Sequence, residues 1–161
     1  MPLSPVLVNT MDDTALRIMQ LAAQGFCCSQ IMIKLSLADM GEDNIPLVRA
    51  MAGLCEGSGT GDLCGVASGA ACVMALYAAK GSLEEQTLDC YPLLLAQFMD
   101  WFKSRSTSWG GIRCDEIIAF QGGRKPEVCG DIMLQAREIL LGILVENNID
   151  PSLPREQAGG C

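Results

Sequence analysis

The chain has 161 residues, half of them hydrophobic, and a formal net charge of −8. This length suits one domain with a sizeable buried core, and the apolar content leaves little room for disorder. The acidic balance argues against a nucleic-acid binder or a protein held on an anionic membrane surface.

The opening residues, 1–13, carry no basic flank before their short apolar patch, so no secretory signal is expected. The longest apolar stretch, 65–79, is too short and too rich in Gly, Ala and Ser for membrane insertion. The expectation is a soluble cytoplasmic protein.

Apolar residues recur at helical spacing almost throughout. Thr10, Asp12 or Asp13 can cap a first helix that carries Leu16, Met19, Leu21 and Ala22 and ends at Gly25. A second helix spans 28–39, with Ile31, Ile33 and Leu35. A third, near 44–54, has Pro46 in its first turn, where a missing N–H does no harm. A glycine-rich loop, Gly57-Ser58-Gly59-Thr60-Gly61, leads to a fourth helix over 64–80, with Asp62 as its N-cap and Cys64 in its first turn. A fifth covers about 84–104, with Leu94, Phe98, Trp101 and Phe102 in helical register; Pro92 inside it either kinks the helix or moves its start. A short helix at 114–120 and a long one at 129–147 follow. The pattern predicts an all-α, single-domain bundle of six to seven helices over 1–149, with a mobile tail at 150–161.

Nine cysteines and no histidine narrow the chemistry. In a cytoplasmic chain, abundant cysteine points to metal binding or redox work more than to a disulfide framework. Without histidine there is no mixed cysteine–histidine zinc site, no imidazole triad and no haem attachment motif, and no C-x-x-C is present. Four cysteines fall at predicted helix starts: Cys28, Cys64, Cys114 and Cys129. The free N–H groups and dipole there favour thiolates or a negatively charged cluster. Lys103, Arg105 and Arg113 precede Cys114, and Arg124 and Lys125 precede Cys129, a basic island expected to lower the thiol pKa values further. Cys72 and Cys90 lie within helical patterns and read as core; Cys161 ends a Gly-Gly-Cys tail as a mobile thiol. Cys27 and Cys55 sit close to Cys28 and Cys64, as alternative ligands or resolving thiols.

Gly25-Phe26-Cys27-Cys28-Ser29-Gln30, Cys64-Gly65-Val66-Ala67-Ser68-Gly69, Trp109-Gly110-Gly111-Ile112-Arg113-Cys114 and Cys129 occur in an order that resembles the C_GCAxxG_C_C family of redox-active proteins, common in anaerobes. The resemblance runs from about residue 15 to 147; Ser29 and Val66 each stand where the pattern has Ala. It implies a small helical domain whose characteristic cysteines are Cys28, Cys64, Cys114 and Cys129.

Three functions follow as expectations. The leading one is a redox protein holding a [4Fe–4S] or [2Fe–2S] iron–sulfur cluster through Cys28, Cys64, Cys114 and Cys129, for electron transfer with a partner protein. The second is a thiol–disulfide oxidoreductase in which Cys64 is the nucleophile and Cys28 or Cys55 resolves it. The third is a structural four-cysteine zinc protein, although separations of 36, 50 and 15 residues do not resemble zinc-ribbon spacing. A shared cluster or an apolar helix face would also allow a homo-oligomer. Whether the chain is an enzyme stays open.

Overall fold

A computed structural model describes residues 5–161, with side chains from Asp13 onward. Among these residues are seven α-helices and no strands: α1 Pro5–Ala23, α2 Cys28–Asp39, α3 Ile45–Met51, α4 Gly65–Ala78, α5 Tyr91–Ser106, α6 Cys114–Phe120 and α7 Pro126–Glu146. The all-α reading holds. No described helix is long and apolar enough to cross a membrane.

α4 is the central helix. Val66, Ala67, Ala70, Val73, Met74, Tyr77 and Ala78 are all buried, so it is covered on nearly every side. Its small residues let neighbours come close. A Cβ at Gly69 would stand 2.9 Å from the Cα of Ser29, so α2 can cross here only over a residue with no side chain. α2 contributes Ile31, Met32, Ile33, Leu35 and Leu37 to the same core, α5 contributes Leu94, Phe98 and Phe102, and α7 contributes Ile132, Ala136, Leu140 and Leu144. Trp109 closes the α5 end, its ring centroid 5.3 Å from that of Phe102. Among the described residues one charge enters the core: Arg137 on α7 is 7% exposed and is paired with Asp39 at the end of α2, which spares it an uncompensated burial.

Several helix ends differ from expectation. α1 begins at Pro5, so Thr10, Asp12 and Asp13 lie inside it; among its described side chains Ile18 is the buried one, while Leu16 and Met19 face solvent. Gly25, at φ +92°, does end that helix, with its N–H donated to the Ala22 carbonyl. α3 starts at Ile45, with the Asn44 side chain accepting from the Leu47 N–H and Pro46 in the first turn. α4 closes at Ala78, ahead of Gly81. α5 starts only at Tyr91, because Pro92 suits a first turn and not an interior. α7 begins at Pro126, three residues before Cys129, for the same reason.

Residues 150–161, expected as a tail, lie against the body of the protein. The Asp150 N–H donates to the Ala158 carbonyl at 2.7 Å, Ala158 is buried, and the Arg155 guanidinium donates to the Gln86 carbonyl at 2.9 Å. The Tyr77 hydroxyl reaches from α4 to the Pro151 carbonyl at 2.7 Å. The sulfurs of Cys161 and Cys90 are at disulfide distance, with Cα atoms 5.9 Å apart, within the span that a disulfide bridges. Cys90 is buried in the core as expected, but it stands at the cap of α5 and not inside a helix, and it is the partner of Cys161.

The α2–α4 crossing gives a direct test. Gly69→Val forces a branched side chain into the backbone of Ser29 and is expected to lower unfolding free energy by about 1–3 kcal/mol or more, read as a lower urea midpoint with an unchanged slope. Gly142→Ala, where nothing lies within 4 Å of an added Cβ, serves as the tolerated control.

Candidate functional site

Three devices bring cysteines to one end of the bundle. The first is the turn after α1, which places Cys27 as the cap of α2 and Cys28 as its first residue. The second is a long-range backbone pairing between two loops. Leu63 and Arg113 form an antiparallel bridge in which the Cys64 N–H donates to the Ile112 carbonyl at 2.9 Å and the Cys114 N–H to the Asp62 carbonyl at 2.8 Å. This bridge holds the starts of α4 and α6 side by side, and Cys64 and Cys114 with them. The third is Pro126, which starts α7 one turn ahead of Cys129 and turns that cysteine toward the others.

Arg113 locks the second device from outside. Its guanidinium reaches Asp62 at 3.2 Å and Asp115 at 2.9 Å, and its backbone N–H donates to Glu116 at 3.0 Å. Asp62 is therefore not the cap of α4, as the sequence suggested. Cys64 itself occupies the cap position, one residue before the helix.

Cys28, Cys64, Cys114 and Cys129 all line one cavity of about 190 Å³. Cys27 and Cys55 line it as well, along with apolar residues that include Phe26, Ile31, Ile117 and Ile132. At the rim, Arg124 and Glu56 form an ion pair at 3.3 Å, both side chains about half exposed. Gly65 is part of the cavity's construction: a Cβ there would stand 2.5 Å from the Cys28 sulfur and 3.1 Å from the Leu54 carbonyl oxygen. The G-x-x-x-G of Gly65 and Gly69 thus serves the thiol at one position and the helix crossing at the other.

The electrostatics depart from expectation. Backbone amides do favour thiolates here: those of Ser29 and Glu56 at Cys28, and those of Val66 and Ala67 at Cys64. Burial outweighs them. Cys28 and Cys129 are both raised above the ordinary 9.0, and Cys64, 7% exposed, is pushed up to about 12, in each case chiefly by burial. Mutual repulsion adds to it, between Cys28 and both Cys129 and Cys114, between Cys64 and both Cys28 and Cys114, and between Cys129 and Cys114. The basic island does not reverse this. Arg113 is spent on Asp62 and Asp115, and Arg105 on Gln135 and Ser108, so Arg124 alone among them favours a thiolate, that of Cys129.

Among the described residues, no three His, Cys, Asp or Glu side chains are gathered into a group that would grip a single metal ion. The four thiols stand around the walls of a space far larger than the roughly 10–15 Å³ of such volume that one water needs. Cys27 and Cys55 are not free to join them, because their sulfurs are at disulfide distance. That pairing is a tertiary fact with no local signal in the sequence, as are the Leu63–Arg113 bridge and the Glu56–Arg124 pair. Cys72 lies on α4, half-buried against the core and away from the cavity lining.

An all-α domain that gathers cysteines from four helix starts around one apolar cavity defines a cysteine-pocket protein. The chain belongs to the C_GCAxxG_C_C family, described as "Putative redox-active protein (C_GCAxxG_C_C)", whose match covers residues 26–143. That span contains Cys28, Cys64, Cys114 and Cys129. No curated protein and no solved structure matches the chain.

The raised thiols contribute to the alkaline stability of the metal-free protein. Their pKa values are higher folded than unfolded, so the folded state keeps protons that the unfolded chain releases above its ordinary thiol pKa. The stabilising contribution is complete below about pH 9 and is lost as pH rises from 9 toward 12. Urea midpoints measured with a chelator present should be level up to pH 9 and fall above it. The Cys64→Ala variant should fall less steeply than the wild type over the same range.

Proposed function

We propose that this protein is an electron carrier that holds an iron–sulfur cluster, of [4Fe–4S] or [2Fe–2S] type, through Cys28, Cys64, Cys114 and Cys129, and exchanges electrons with a partner protein. The observation that carries the reading is the conflict within the cavity. Four thiols from four helix starts face one another in a cavity where burial, with mutual repulsion, opposes the ionisation of Cys28, Cys64 and Cys129. A cationic centre removes that conflict, since a coordinating thiol loses its proton outright. When bound, a cluster supplies one-electron redox chemistry.

The chain's own residues then have definite tasks. The amides of Ser29, Glu56, Val66 and Ala67 donate toward sulfur and offset the negative charge of the thiolates. Phe26, Ile31, Ile117 and Ile132 keep water from the sulfurs. Arg124 holds positive charge near Cys129 at the rim, steadied by Glu56.

The other readings find less support. A lone zinc ion needs four sulfurs at about 2.3 Å from one point, a tighter gathering than four thiols on the walls of a 190 Å³ cavity. A Cys64 nucleophile needs a thiolate at neutral pH, which burial opposes; of its two candidate resolving thiols, Cys55 is claimed by Cys27, and Cys28, though free, is itself raised by burial.

Protein purified without oxygen, or reconstituted with iron and sulfide, should show broad visible absorption and bind iron and sulfide in comparable amounts. Cys64→Ser and Cys129→Ser should each lower bound iron by more than about tenfold, the lower end of what even outer-shell changes cost, whereas Cys72→Ser should keep the wild-type content. Full iron and sulfide in Cys129→Ser, or none in the reconstituted wild type, would overturn the assignment.

A further inference from the structure

Cys27 and Cys55 stand apart from the four-thiol set. Their Cα atoms are 6.1 Å apart, within the span a disulfide bridges, and both are only half-buried, at the wall of the cavity. The polar atoms around them carry the inference.

Ser29 is fully buried at the α2–α4 crossing. Its hydroxyl donates to the Met51 carbonyl at 2.7 Å, and the same oxygen lies 2.8 Å from the Cys55 sulfur and 3.9 Å from that of Cys27. A serine has one proton to give, and a carbonyl has none. With that proton on Met51, the Ser29 oxygen can only accept from Cys55.

The Cys27 side repeats the arrangement. The Gln30 amide is oriented by its Nε2, which donates to the Val48 carbonyl at 3.1 Å. Its Oε1 therefore faces Cys27, accepting the backbone N–H at 3.2 Å and lying 3.4 Å from the sulfur. Each sulfur thus meets an oxygen that a thiol S–H can use and a disulfide sulfur cannot. The surroundings favour the reduced pair over the oxidised one, as in disulfides that act as oxidants because their reduced form is stabilised.

We infer that Cys27 and Cys55 form a second redox centre, a two-electron dithiol–disulfide couple that exchanges with thiols or dithiols of the glutathione class. In the reductive direction an external thiolate attacks one sulfur, the Cys27–Cys55 bond breaks, and the released cysteine takes up a proton. A second external thiolate then attacks the external sulfur of the mixed disulfide. This frees the other cysteine, which is protonated in turn, and leaves the reagent as its own disulfide. Two electrons and two protons pass to the pair, and the new S–H groups bond to Ser29 and Gln30. The inference stands whether or not the cavity holds a cluster.

The test uses the full chain equilibrated without oxygen in glutathione buffers of graded reduced-to-oxidised ratio, quenched in acid, alkylated and read by peptide mass spectrometry. Cys27 and Cys55 should convert together, with a midpoint inside the buffered range. Ser29→Ala should shift the equilibrium constant toward the disulfide by about fivefold, the worth of one hydrogen bond. Gln30→Leu should shift it in the same direction, which keeps the test decisive if Ser29→Ala fails to fold. A pair that stays oxidised in every buffer, cysteines that stay reduced in the most oxidising one, or a midpoint that the folded variants leave unmoved would each overturn it.

Discussion

Where α2 crosses α4, Gly69 meets the backbone of Ser29 at a distance that leaves no space for a side chain. That contact governs more than core density. It brings the start of α2 against the start of α4, which carries Cys28 to the edge of Gly65 and buries Ser29 beside Cys55. A wider crossing would move Cys28 away from Cys64 and separate the α2 cap from the loop carrying Cys55. Packing between two helices of small and aliphatic residues thus fixes the relative positions of sulfur atoms far apart in sequence.

The cavity is a site where the rules for a stable core and for a reactive thiol compete. A helix start favours a thiolate by some tenths of a kcal/mol up to about 2 kcal/mol, whereas burial can move an ionisable group by several pH units. Burial wins at Cys28, Cys64 and Cys129. In the proposed cluster-bound form the amide donors would point at sulfur that has become negative. Cys27 and Cys55, half-buried on the same wall, are placed for exchange with soluble thiols. One end of the bundle therefore holds two kinds of sulfur site that differ in depth and in partners.

Much of the fold was legible from local chemistry. The spans of α2 and α6 agree with the helical pattern to the residue, and Gly25 and Pro46 mark helix ends by their backbone preferences. The four cavity cysteines stood out because each lies near a helix start, a property of sequence spacing. Other features depend on tertiary contact. Cys64 looks like an activated thiol from its position, yet its burial is set by α2 and α6 folding over it. The pairings Cys27–Cys55 and Cys90–Cys161 could not be read, since connectivity does not follow from spacing. Asp62 has the residue type of a helix cap, and only its pairing with Arg113 across 51 residues shows another role. The last twelve residues carry the composition of a loose tail, and it is their contacts with Tyr77, Gln86 and Cys90 that hold them down.

The central claim is that four thiols of this cavity bind iron together with inorganic sulfide. X-ray absorption at the iron edge, on protein purified and kept without oxygen, tests it most directly. The account predicts a first shell of sulfur alone and a second shell of iron–iron scattering. A first shell containing nitrogen or oxygen, or sulfur-bound iron with no iron–iron signal, would contradict it.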